Sequence, residues 1–348
     1  MTARLARDFG LVCGTLPTGP LNAITDVPGV LVGHLSMHAG DVLTGVTAIL
    51  PHAGNLFRAK ARAAVEVING FGKSTGLMQV AELGTVETPI LLTNTFAVGT
   101  CATALIRTAI AANPDIGRET GTVNPVVLEC NDGFLSDIQA LAVTETDALE
   151  AIKAASDGHI GQGSVGAGTG MSSFGFKGGI GTASRRVKFD RTHFHLGVLV
   201  LANFGRAGDL VLPDGRRPAP PSEPAPAPEK GSVIVILATD VPLEHRQLHR
   251  VTKRCGAGLA RLGAFWGHGS GDIALGFTTA DPVEHDQKRD LVPIRALNEA
   301  RIDRLFQAAA EATQEAVLNA LCAAGPAVGR LGHSRPSLAD WLEAEERK

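Results

Sequence analysis

Ser232 follows Gly231 at the point where the proline-rich run PAPAPEK gives way to the apolar run SVIVILATD. A serine hydroxyl is a weak nucleophile until a base takes its proton. Breaking the 231–232 bond would supply that base from the same residue. The freed α-amine, with a pKa of about 7.7–8.0, is bonded to the carbon that carries the hydroxymethyl group. Gly231 suits such a cut because a residue without Cβ tolerates strained backbone. The residues alone also allow a plainer reading, a disordered insertion that ends where a strand begins.

Other stretches have chemistry-bearing spacing. GHGSGD (267–272) puts Ser270 and Asp272 two apart at a strand start, and reads equally as a turn with self-capping side chains. In VVLECNDGFLSD (126–137) a buried-looking strand ends in Glu129, Asn131 and Asp132. Strand ends collect functional groups, and Asn-Asp-Gly is also an ordinary turn. GQGSVG (161–166) fits GxGxxG, but a helix precedes it and a glycine ribbon follows, the reverse of a dinucleotide site. His245 and His249 have metal-ligand spacing, yet EHRQLH lacks the glutamate of HExxH, so they read as a solvated helix face. His193 and His195 read as a strand face. Five scattered cysteines without a CxxC argue against a zinc site or disulfide framework and fit a reduced cytoplasm. Tyrosine is absent, so no mechanism here uses a phenol.

The elements that position these groups are legible in outline. The chain has 348 residues, 44% of them hydrophobic, with a formal charge of −3. That composition supports a large core and gives no basic footprint for nucleic acid or a membrane surface. No apolar stretch reaches about 18 residues, and no apolar block follows the first arginines, so neither a membrane span nor a signal peptide is expected. PGVLVGHL, GVTAIL, AAVEVI, PILLT and NPVVLEC read as strands, and VGTCATALIRTAIAA as a helix. ETDALEAIKAAS (145–156) reads as a second helix. Residues 158–187 are so glycine-rich that they read mostly as loop or ribbon. HFHLGVLVLANFG reads as a strand ending at Asn203, and SVIVILATD as another. One long helix is expected from Leu243 through Phe265, with Asp240 as its cap, and another over 295–324. Residues 213–230 hold seven of the nineteen prolines and read as a solvated leash. Residues 232–348 make a poor independent domain, so their strands at 232–239 and 272–279 must complete a sheet begun upstream.

Taken together, the motifs resemble the L-aminopeptidase/D-esterase and β-peptidyl aminopeptidase family of self-processing N-terminal serine hydrolases. The resemblance runs through GPLNAITDVPGVLVGH (19–34), GVTAILP (45–51), NGFGKSTG (69–76), ETPILLTNTFAVG (87–99), ECNDG (129–133), GTGMSSFGFKGGIGTASR (168–185), LVLANFG (199–205), KGSVIVILATDVPL (230–243) and GSGDIALGF (269–277). It implies one catalytic domain over 1–348, cut at Gly231–Ser232 into an α part (1–231) and a β part (232–348) that stay together. The implied fold is α/β, a four-layer αββα sandwich with two central mixed or antiparallel sheets, shared with ornithine acetyltransferases. Carried over, Ser232 is the nucleophile, Ser270 and Asp272 support it, and Asn203 is an oxyanion-hole amide. Glu129, with Asn131, Asp132 and Phe134 beside it, would bind a small peptide, amide or ester through its free ammonium. The family implies no metal and no cofactor, and a homo-oligomer of processed heterodimers.

This chain departs from the family pattern at three places. Lys73 follows NGFG where relatives often carry Glu, Phe134 follows ECNDG where relatives frequently carry Tyr, and Phe174 stands where Tyr is expected. Relatives can also carry Glu at Asp272. Two other functions therefore stay open at this point: acyl transfer of the ornithine acetyltransferase kind, which Ser232 in place of threonine disfavours, and an inactive binding scaffold of the same fold.

Overall fold

The apolar runs become strands buried from both sides. The computed structural model describes residues 4–220 and 231–347. Its main strands are β1 (Leu31–Ala39), β2 (Val42–Leu50), β3 (Ala59–Gly70), β4 (Thr85–Val86), β5 (Ile90–Asn94), β6 (Val126–Cys130), β7 (Ser172–Ser173), β8 (Phe176–Lys177), β9 (Gly179–Phe189), β10 (Thr192–Asn203), β11 (Ser232–Thr239) and β12 (Gly271–Glu284). Its helices are α1 (Leu77–Leu83), α2 (Val98–Ala112), α3 (Glu145–Lys153), α4 (His245–Thr252), α5 (Cys255–Ala260), α6 (Asp303–Ala323) and α7 (Leu338–Glu346). A four-stranded sheet has the order β1-β2-β5-β6, and a six-stranded sheet the order β4-β3-β12-β11-β10-β9. The β5–β6 and β11–β12 pairs are parallel and their neighbours antiparallel, so both sheets are mixed.

Side-chain alternation sorts the layers. On β11, Val233, Val235 and Leu237 pack with Leu248, Leu259, Leu305 and Leu321 of the helices. Ile234, Ile236 and Ala238 point the other way, against Ile90, Leu92, Val126 and Leu128 of the four-stranded sheet. On that sheet, Leu91 and Val127 face outward onto Val98, Cys101 and Leu105 of α2 and Ala148 and Ala151 of α3. The order is helix, sheet, sheet, helix, the expected αββα sandwich. A strand apolar at every position, such as β11, is what a position between two packed layers requires.

Several expectations need correcting. The glycine-rich stretch does not stay loop: its end, GIGTASRRVKF, is β9, paired along its length with β10. Its glycines admit neighbours rather than turns; a Cβ at Gly181 would overlap the Ala316 carbonyl of α6. The helix expected from 243 to 265 is two helices. Thr252 donates its hydroxyl to the Leu248 carbonyl at 2.8 Å, a back-bond that bends helices, and two glycines follow in α5. Asp240 does not cap α4; its carboxylate accepts the His195 N–H at 2.7 Å. Helix α6 starts at Asp303, because Arg295 is drawn to Asp281 and Asn298 caps a separate 3-10 turn. Helix α3 stops at Lys153, and Ser156 pairs with Val32 instead. The 18 residues Thr95–Ala112 are long and apolar enough to cross a bilayer by composition, contrary to expectation, but the inner side of this stretch lies in the core with α3. Of the proline-rich segment, 213–220 forms a turn and coil, and 221–230 lie outside the described residues.

Candidate active site

Strands β11 and β12 bring the sequence-derived residues together at one end of the six-stranded sheet. Ser232 is the first residue of β11, directly opposite Asn203 at the end of β10 and beside Gly271 at the start of β12. Opposed residues of an antiparallel pair share a face. Ser232 and Asn203 therefore both point into the space between the sheets, with Ile234 and Leu201. The Gly271 N–H donates to Ser232 Oγ at 3.2 Å. On either side of Gly271, Ser270 donates its hydroxyl to Asp272 Oδ1 at 2.7 Å, and both side chains are fully buried. The pair thus reaches the nucleophile through the backbone between its members. A register shift between β12 and β3 right after Asp272 re-aims this strand end, a common use of a bulge near a site. Asn69 fixes the turn, donating to the carbonyls of Gly267 (3.0 Å) and Ser270.

Gly231 has no room for a side chain. Its Cα lies so close to the Asn203 carbonyl and Phe204 that any Cβ would overlap them. Close approach excludes larger residues.

The Asn203 amide is held at both ends. Its Oδ1 accepts the Ser172 N–H at 2.9 Å, and its Nδ2 donates to the Asn131 carbonyl at 3.0 Å. That orientation leaves the second Nδ2 hydrogen to point elsewhere. Asn131 contributes through its main chain, while its side chain accepts from Gly133 N–H at 2.8 Å. From the facing sheet, the Cys130 thiol approaches the Ser232 carbonyl at 3.4 Å. Burial pushes that thiol well above its usual range, so it stays protonated and is no rival nucleophile.

Glu129 lies near the end of β6, almost fully buried. Its Oε1 accepts the Lys73 N–H at 2.8 Å and its Oε2 the Thr95 hydroxyl. Gly72, packed between Glu129 and Gly271, links this carboxylate to the nucleophile's strand. Lys73 holds its ammonium 4.4 Å above the exposed Phe71 ring, at the rim. Phe134 is also at the surface, stacked on His333 at 4.7 Å with the Arg335 guanidinium 3.8 Å above its ring. Asp132 departs from expectation: both carboxylate oxygens are buried, turned inward, and cannot meet a ligand's ammonium as placed. His245 and His249 are engaged on the protein itself, with the Ala63 carbonyl (2.9 Å) and Glu66 (2.6 Å). Sequence reading missed Ser172, Gly271, Lys73 N–H and Thr95. Three of these act through backbone groups, which carry no residue-type signal, and Thr95 lies in no catalytic motif.

Known proteins resemble this chain along most of its length. The profile of peptidase family S58 matches residues 22–335. The β-peptidyl aminopeptidase BapA of Sphingosinicella microcystinivorans is 38% identical, over 94% of this chain and 88% of its own. That of Sphingosinicella xenopeptidilytica is 35% identical, over 93% and 86%. Among solved structures, the PH0078 protein of Pyrococcus horikoshii superposes with a TM-score of 0.92 at 44% identity, covering 99% of both chains. The L-aminopeptidase D-Ala-esterase/amidase of Ochrobactrum anthropi, described as a variant of the Ntn hydrolase fold, gives 0.90 at 35%, covering 99% and 98%. The chain belongs to peptidase family S58 and is a hydrolase.

Proposed function

We propose that this hydrolase is an aminopeptidase that activates itself by cutting before Ser232. In the cut, Ser232 Oγ attacks the Gly231 carbonyl carbon, and the C–N bond breaks as its nitrogen takes a proton. Gly231 is then held as an ester on Ser232, and water opens the ester to a Gly231 carboxylate and a free hydroxyl. The new α-amine removes the Ser232 hydroxyl proton during catalysis. The alkoxide attacks the carbonyl after the first residue of a short peptide, amide or ester. Asn203 donates its remaining N–H to the oxyanion, the amine protonates the leaving group, and water releases the acyl group. Ser270 and Asp272 set the polarity around the amine and fix Gly271. Glu129 receives the substrate's ammonium, the charge an aminopeptidase reads.

The observation that carries this reading is the convergence on Ser232 at the start of a central strand. Asn203 stands across one ladder, and the Gly271 N–H with the Ser270–Asp272 pair stands across the other. The test is intact mass and N-terminal sequencing of purified protein beside Ser232→Ala. Wild type should give two associated fragments, the second beginning SVIVI, and hydrolyse α- and β-aminoacyl amides. Ser232→Ala should remain one chain and be inactive. Full activity in the uncut variant would place the nucleophile elsewhere.

A further inference from the structure

Two buried ionisable groups on the segments that hold the Asn203 amide play no part in this mechanism. Lys177 on β8 is wholly buried, and its ammonium donates to the carbonyls of Gly168 (2.9 Å) and Gly178 (2.7 Å). Asp132 is 1% exposed, and neither carboxylate oxygen has a hydrogen-bond partner among the described residues. Burying an ionisable group costs several kcal/mol unless it is paired or hydrogen-bonded, so a buried carboxylate without a partner is not an arrangement a fold keeps for stability alone. Each group feels its surroundings. Burial pushes Asp132 up to about 7, against the favourable neighbours Thr44 and Asn94, with Glu129 adding to the rise. Burial pushes Lys177 down to about 7, and the charge of Asp132 works the other way.

Their positions give the pair a task. Asp132 directly follows Asn131, whose carbonyl receives Asn203 Nδ2. Lys177 is the ladder partner of Ser172, whose N–H holds Asn203 Oδ1. The Lys177 ammonium ties both ends of the glycine loop carrying Ser172, and Gly178 N–H closes it onto the Met171 carbonyl at 2.9 Å. Gly170, inside that loop, packs so tightly on Asp132 Cβ and the Leu43 carbonyl that it has no room for a side chain. Both hydrogen bonds that orient the Asn203 amide therefore come from segments that carry one of these two buried groups: Lys177 ties its loop through its ammonium, and Asp132 packs its Cβ against that loop at Gly170. We propose that Asp132 and Lys177 are positioning residues, two buried groups that hold the segments whose backbone aims the Asn203 amide at the oxyanion. This rests on the assignment of Asn203 made above.

The experiment is a double-mutant cycle. Asp132→Asn, Lys177→Met and Asn203→Ala are made singly, and each of the first two is combined with Asn203→Ala. Each is assayed on a free-amine aminoacyl anilide, with kcat taken per titrated, processed site. Asp132→Asn and Lys177→Met should each lower kcat at least tenfold with KM within about twofold. In the Asn203→Ala background the same changes should cost less than about twofold, because the amide they aim is gone. The combined variant Asp132→Asn/Lys177→Met, which leaves no unpaired buried charge, gives the same reading where a single change prevents folding. A cost that persists in full without Asn203, or an unchanged kcat per site, overturns the positioning role. A normal kcat for Asn203→Ala alone instead overturns the assignment of Asn203.

Discussion

Asn203 and Glu129 are both nearly buried polar side chains at strand ends, but they should fail differently when changed. In the proposed function Asn203 offers a donor that matters most once charge develops on the carbonyl oxygen. Removing one such donor costs about 3–4 kcal/mol in the transition state, roughly 10²–10³ in kcat. Asn203→Ala should show that loss with little change in KM, per processed site, and a pure KM effect would rule out the oxyanion role. In the proposed function Glu129 instead reads a charge present in ground and transition states alike. Glu129→Gln keeps an acceptor for the Lys73 N–H and loses the ion pair, so it should raise KM by roughly 10–100-fold, the worth of a charged hydrogen bond. The same change should erase discrimination between a free-amine ester and its N-formyl analogue. Discrimination retained in the variant would mean the ammonium binds elsewhere.

At the scale of elements, legibility followed the kind of force involved. Strands β5, β6, β10 and β11 were readable because two-sided burial leaves an uninterrupted apolar run. Helix α2 was readable to the residue because its alanine-rich stripe follows directly on a strand and on a short 3-10 turn that Asn94 caps. Strand β9 was not, because its glycines look like loop until α6 is known to lie against them. The break between α4 and α5 was hidden for a similar reason: Thr252 fits only because Gly276 of β12 leaves room for its side chain. In the site, Ser232, Ser270, Asp272 and Asn203 were legible through the resemblance, and the structure brings them to one sheet end. The inward turn of Asp132 was not legible, since an Asn-Asp-Gly sequence does not say which side chain faces solvent. Nor was the reason for Gly231, which depends on how near β10 passes.

At the scale of the molecule, the proposed cut before Ser232 would leave two pieces that cannot easily part. The second piece supplies β11 and β12, the middle of the six-stranded sheet, with β10 on one side and β3 on the other from the first piece. A buried ionic cluster spans the same divide. Arg185 of β9, fully buried, donates to Glu311 (3.1 Å) and Glu315 (2.8 Å) of α6, and Arg7 reaches Glu315 at 2.6 Å. Burial opposes the charge on Glu315, but the Arg7 hydrogen bond and the Arg185 charge outweigh it and hold its pKa below the usual value of 4.5. A lowered carboxylate pKa contributes stability that is present above the unfolded value and lost as pH falls through the folded one. Arg185→Met leaves the Glu311 carboxylate without an ion-pair partner and Glu315 with Arg7 alone, which should cost about 3–5 kcal/mol at pH 7.5. The variant's deficit should shrink in acid below about pH 4.5, where the carboxylates that lost their partner can be protonated at less cost. Urea titration of both proteins at pH 7.5 and near pH 4, each also carrying Ser232→Ala so that unfolding involves one chain, measures this directly. Size-exclusion of the cut form shows whether the same cluster holds the parts together: the Arg185→Met fragments should separate at a urea concentration that leaves wild type joined. Equal stability at pH 7.5, or a deficit that acid does not reduce, would mean that the sheet alone joins the two parts.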